Sequence, residues 1–125
     1  MEKLMIVGTE DTPNIVLDPK EKVFEISGRS LPEDVVSFYQ PVLDWLDELE
    51  ASPIADIDFI FKLDYFNTAS SKLILDILLK LDDIFTAGNA INIKWHYMEL
   101  DEDLEEAGEE YSELVEIPFE LVPYQ

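Results

Sequence analysis

The sequence predicts an α/β fold: a mixed sheet with parallel central strands, about three helices and an N-terminal β-hairpin. Three observations carry this. Strand-like and helix-like segments alternate from the middle of the chain onward. Two strand–helix–strand units in that stretch call for right-handed crossovers, which set the joined strands parallel. Finally, 125 residues with 47% hydrophobic and 11% aromatic content make one packed core, and the chain is too short for two sizeable ones. With no repeat and no Pro- or Ser-rich linker, residues 1–125 are taken as a single domain.

Each element has its own signal. Asn14 to Asp18 and Val23 to Ser27 flank the polar turn Pro19-Lys20-Glu21-Lys22, which predicts a hairpin, and Gly28-Arg29-Ser30 ends its second strand. Pro32-Glu33-Asp34 opens a helical pattern with acids where the helix dipole favours them. Val35, Phe38, Tyr39, Val42, Leu43, Leu46 and Leu49 share one face of that helix, and Pro41 inside it predicts a kink or a restart.

Ile54 to Phe66 is a near-continuous apolar run, the pattern of a central strand buried on both faces. Asn67 to Ser71 breaks the run before a second helix, Leu73 to Phe85, that stops at Gly88-Asn89. Ala90 to Tyr97 reads as a strand with Ile91, Ile93, Trp95 and Tyr97 on one side. Glu99 to Val115 reads as a third helix with a narrow buried stripe of Leu100, Leu104, Ala107, Tyr111 and Leu114. Pro118 ends it, and Phe119 to Val122 forms a short last strand.

Charge excludes several function classes. With 29 acidic and 8 basic residues the net charge is -21, a surface that repels nucleic-acid phosphates and anionic membranes. A basic protein partner would instead gain association rate. The absence of cysteine removes disulfides and thiolate chemistry. Neither the N-terminus nor any apolar run, such as Ile57 to Phe61, has the length of a signal peptide core or a membrane span, so a cytoplasmic location is expected.

Catalytic signals are weak. Asp101, Asp103, Glu105, Glu106, Glu109 and Glu110 lack the glycine-kinked loop of an EF-hand and read as a solvated helix face. His96 is the only histidine, and between Trp95 and Tyr97 it reads as a packing or hydrogen-bonding residue. Four glycines, at 8, 28, 88 and 108, match no phosphate-cradling loop. No carboxylate pair stands out, so no enzyme, no metal and no cofactor is expected.

Asn67-Thr68-Ala69-Ser70-Ser71-Lys72 lies at the carboxyl end of the central strand, where open α/β sheets place functional loops. A hydroxyl there has two readings. It caps the helix, contributing about 1 kcal/mol. Alternatively it accepts a phosphate, which the helix dipole tolerates while about -1.5 to -2 added charges disrupt a docked partner. Asn67 shapes the turn, Lys72 either neutralises a phosphate or is simply solvated, and of Tyr65 and Phe66 one is buried and one exposed for partner contact.

Five blocks stand in order: Gly8 to Pro13, Ile26 to Glu33, Phe38 to Leu46, Leu63 to Lys72, and the tail containing Trp95-His96-Tyr97, Asp101-Glu102-Asp103 and Glu106 to Tyr111. Together they resemble the SiaC-type regulatory phosphoproteins, a bacterial family with a STAS-like fold, that of anti-sigma-factor antagonists. The resemblance implies a partner-switching module. Thr68 matches the family's phosphoacceptor, modified by a cognate serine/threonine kinase and restored by a PP2C-type phosphatase. The unphosphorylated form would bind a target such as a diguanylate cyclase. Where the family commonly has Ser, this chain has Ala69, so a secondary site there is impossible, whereas Ser70 and Ser71 match. The competing reading is a constitutive acidic binder or DNA mimic that engages a basic protein.

Overall fold

Six strands and three helices follow one another as β1 (Leu4–Ile6), β2 (Asn14–Asp18), β3 (Val23–Ser30), α1 (Val35–Ala51), β4 (Ile57–Phe66), α2 (Thr68–Thr86), β5 (Ile91–Met98), α3 (Glu102–Glu113) and β6 (Phe119–Tyr124). The computed structural model describes all residues, Met1–Gln125. The strands form a single sheet in chain order. β1, β2 and β3 pair antiparallel, and β3, β4, β5 and β6 pair parallel. The hairpin and the α/β class are as the sequence predicts. β1 is an addition, too short to leave a periodic signal.

Each crossover, through α1, α2 and α3, steps to the next strand in the same direction. With a common right hand, such steps lay every helix on one face of the sheet. The core confirms it. Phe24 and Ile26, Ile57, Phe59, Phe61 and Leu63, and Ile91, Ile93 and Trp95 are all buried on that face, with Trp45, Leu46, Ile74 and Leu78 of the helices above them. The expectation that β4 is buried on both faces is therefore wrong: Asp58, Lys62 and Asp64 are exposed and Ile60 is half-buried. Its outward positions are covered by nothing.

Local chemistry sets the ends and bends. Asp34 caps α1, accepting from the Ser37 amide, and the helix runs through Pro41 without interruption. Pro41 and Ser37 both face solvent, so water can reach the carbonyl that Pro41 leaves unpaired. α2 closes with Gly88 at φ +108°, a left-handed conformation glycine adopts without a Cβ penalty. α3 is shorter than predicted, which leaves Leu100 and Leu114 outside it and exposed rather than in its buried stripe. Gly108 fills that stripe with Leu104 and Tyr111.

On β4, Gly28 pairs with Leu63 but Arg29 pairs with Tyr65, so Asp64 is an extra residue at a bulge, opposite a glycine at φ +103°. The bulge reverses the alternation, turning Phe66 inward and Tyr65 outward. β3 also continues through Gly28 to Ser30 instead of ending there. On β6, Ile93 donates its amide to Pro118 O and Glu99 donates to Tyr124 O. The two-residue repeat then puts Phe119, Leu121 and Pro123 on the outer rungs, and Pro123 has no N–H to offer.

Candidate functional site

The segment from Asn67 to Lys72 is not a loop. It is the cap and first turn of α2, which begins at Thr68 instead of Leu73. Asn67 is the cap: its Oδ1 accepts the Ser70 amide at 2.9 Å and its carbonyl accepts the Ser71 amide at 3.0 Å. A serine- and threonine-rich stretch has poor helix propensity, which is why periodicity alone starts the helix at Leu73. The Asn67 cap overrides it.

The three hydroxyls of this turn have different fates. Thr68 is exposed, and since Asn67 does the capping, its side chain is not needed for that task. Ser70 is fully buried; its hydroxyl donates to the Ser30 carbonyl at 2.8 Å and accepts from the Ser30 hydroxyl at 2.8 Å. Ser71 is half-buried and donates to the Thr68 carbonyl at 2.6 Å. Of the three, only Thr68 presents its oxygen to solvent without an internal bond. Ala69 and Lys72 are exposed beside it.

Behind the turn lies a relay of hydroxyls that nothing in the local sequence signals. Ser30 Oγ lies 2.6 Å from Tyr39 Oη. Because Ser30 spends its proton on Ser70, the Tyr39 hydroxyl is the donor of that pair. Burial pushes the Tyr39 phenol up to about 12, so it stays protonated. The Asn67 amide also donates to the Ser30 carbonyl, at 3.2 Å. From the other side Tyr111 of α3, its phenol likewise pushed up to about 12 by burial, donates to the Ser71 carbonyl at 2.8 Å. β3, α1 and α3 thus all hold the first turn of α2.

Electrostatics separate this turn from the start of α3, though not from that of α1, whose first turn is also free of acid. The first turn of α3 carries Glu102, Asp103 and Glu105, whereas that of α2 carries no acid, with Lys72 close behind. Helix geometry leaves the Thr68 and Ala69 amides without intrahelical partners. Beside the turn, Tyr65 is 47% exposed with the Arg29 guanidinium 5.6 Å from its ring centroid, and Phe66 packs against Trp95 and Tyr111. At the same end of the sheet, a notch of about 830 Å³ is lined by Met98, Leu100, Tyr124 and the acids Glu99, Asp101, Glu102 and Asp103.

The remaining candidates lie elsewhere. His96 sits half-buried on the uncovered face of β5, and its Nε2 has no hydrogen-bond partner, so of the two expected roles only packing is met. No three of the His, Asp and Glu side chains are grouped so as to hold a metal ion. No helix is long and apolar enough to cross a membrane.

The model of the SiaC family of regulatory phosphoproteins matches residues 6–124. The chain belongs to the SiaC family. It is 31% identical over 121 residues to a protein of Pseudomonas aeruginosa strain UCBPP-PA14, covering 97% of this chain and 96% of the relative. Among solved structures, apo-SiaC from Pseudomonas aeruginosa superposes with a TM-score of 0.89 at 30% identity, covering 98% of this chain and 99% of that one. A SiaC chain from a complex of the diguanylate cyclase SiaD with its activator SiaC, from the same organism, gives a TM-score of 0.90 at 30% identity over 97% and 99% of the two chains. The STAS-like architecture and the regulatory, phosphoprotein character expected from the sequence both agree with this membership.

Proposed function

We propose that this SiaC-family protein is a non-catalytic cytoplasmic partner switch whose state is set by phosphorylation of Thr68. In the unphosphorylated form it binds and activates a diguanylate cyclase. A cognate serine/threonine kinase ends the interaction by modifying Thr68, and a PP2C-type phosphatase restores it. The observation that carries this reading is the exposed Thr68 hydroxyl in a helix first turn that is capped by its neighbour and free of acid. Phosphate there faces free amides and the positive end of the α2 dipole, so the fold tolerates it. A docked partner meets a new dianion it must desolvate, and leaves. The solved SiaD–SiaC complex supports a cyclase as the target class.

The test uses the cognate serine/threonine kinase that this reading requires, sought among the serine/threonine kinases of the host. Incubation with ATP followed by mass spectrometry is expected to place one phosphate on Thr68; modification elsewhere with Thr68 untouched ends the proposal. The dense acid of α3 supports a second reading, a constitutive binder of a basic protein. That reading predicts an affinity that collapses with salt and ignores Thr68→Asp, whereas the switch predicts a marked loss from that one substitution.

A further inference from the structure

We infer that Ser30, Tyr39 and Ser70 are positioning residues for Thr68: their buried relay of hydroxyls holds the first turn of α2 in the geometry that presents the acceptor oxygen. The inference rests on Thr68 being the phosphoacceptor. It adds three residues that touch neither the phosphate nor the partner.

Ser30 and Ser70 are the two buried polar residues of a core that is otherwise hydrophobic or aromatic. A buried hydroxyl stabilises little beyond what an apolar group of the same shape would, and it is costly when a partner is missing. Two of them plus a buried tyrosine oxygen therefore specify a geometry more than they add stability. The protons run in one direction, from Tyr39 to Ser30 Oγ, from Ser30 to Ser70 Oγ, and from Ser70 to the Ser30 carbonyl, where the relay ends with every donor used. That carbonyl also accepts the Asn67 amide. The relay thus fixes both Asn67 and Ser70, the residues on either side of Thr68 and Ala69. Helix ends fray, and a frayed first turn would present the Thr68 oxygen in many directions. A kinase would then meet a competent acceptor only part of the time, and its apparent affinity would fall by that fraction. The same bonds occupy the Ser70 hydroxyl, which keeps it out of competition with Thr68.

Ser70→Ala and Tyr39→Phe each delete one hydroxyl and leave the packing volume nearly unchanged, and thermal melts check that each variant folds. Should one fail to fold, the other decides. Hydrogen exchange on the full chain is expected to speed about tenfold at the Ser71, Lys72 and Leu73 amides in both variants, with Ile77 to Leu81 unchanged. Phosphorylation by the kinase that modifies the wild-type chain is expected to show a KM for the protein raised severalfold at unchanged kcat, because the bound turn is the same once ordered. A general loss of stability would not produce that split. If the wild-type chain is modified on Thr68 and both variants match it in KM, the inference is overturned while the switch stands. If the wild-type chain is modified elsewhere, the switch itself fails, and the positioning role fails with it.

Discussion

A single hydroxyl in the first turn of α2 is exposed while its neighbour two residues on is sealed in the core, and that difference sets Thr68 apart from Ser70. Reading the residues alone left capping and phosphate acceptance as alternatives for it. The capping bond belongs to Asn67 Oδ1, so the Thr68 side chain is not the cap. The cap was legible, since Asn is a preferred capping residue. The bonds to Ser30 were not, because Ser30 lies 40 positions from Ser70 in the chain and shares no pattern with it, and Tyr39 reaches the turn only through Ser30. Ser30→Ala would leave the Tyr39 hydroxyl buried with no acceptor, and urea unfolding is expected to show a loss of about 1–3 kcal/mol. His96 offers a pH test. Its pKa is held below the usual 6.5 chiefly by burial, then by repulsion from Lys62 and Lys94, against the opposing pull of Glu25 and Glu120. The folded state therefore favours the neutral ring. Stability is intact above pH 6.5 and is lost as pH falls toward the lowered folded value, because only the unfolded chain binds the proton in that window. Urea midpoints for His96→Gln should fall less than those of the wild type between pH 7 and pH 5.5.

At the scale of elements, helix periodicity located all three helices, and the larger errors fell at their starts. α2 begins five residues early because a cap overrides weak propensity, and α3 begins three residues late because Asp101, accepting the Leu104 amide, sets its cap. Leu100 matched the helical stripe by spacing yet lies before that cap, 92% exposed. The reversal at Asp64 was equally hidden, since a bulge depends on the partner strand and not on the strand that contains it. α3 is the thinnest attachment and the easiest to test. A Cβ on Gly108 would sit 2.5 Å from Trp95 Cδ1 and 2.6 Å from Leu121 Cδ2. Gly108→Ala should therefore cost about 1–3 kcal/mol through overpacking. Its helix-propensity gain of about 1 kcal/mol is too small to reverse the sign. Tyr111 would shift with the helix, so a thermal melt and loss of protection at Ser71 should appear together.

For the whole molecule, alternation of segments was enough to give class and connectivity. What it could not give was which sheet face the helices cover. An apolar run such as Ile57 to Phe61 reads as doubly buried whether or not a second layer exists, and only the common direction of the crossovers decides. Charge acts at this scale too. With a net charge of -21 and three salt bridges, self-repulsion opposes the compact state, and screening relieves it. Raising NaCl from about 0.05 M to about 0.5 M, a change that shortens the Debye length severalfold, should raise the melting temperature. A fall would mean that the few cations matter more than the excess of acid.

Pro123 bears on what a crowded cell can do with this molecule. Exposed sheet margins invite neighbouring chains to zip on rung by rung, the route by which soluble proteins grow into ribbons. Here the outermost ladder lacks a donor where a newcomer would seek its third foothold, and the opposite margin, β1, is three residues long. Recruitment by backbone templating loses a rung at one flank and has little length to use at the other, which favours associations of this protein made through side chains.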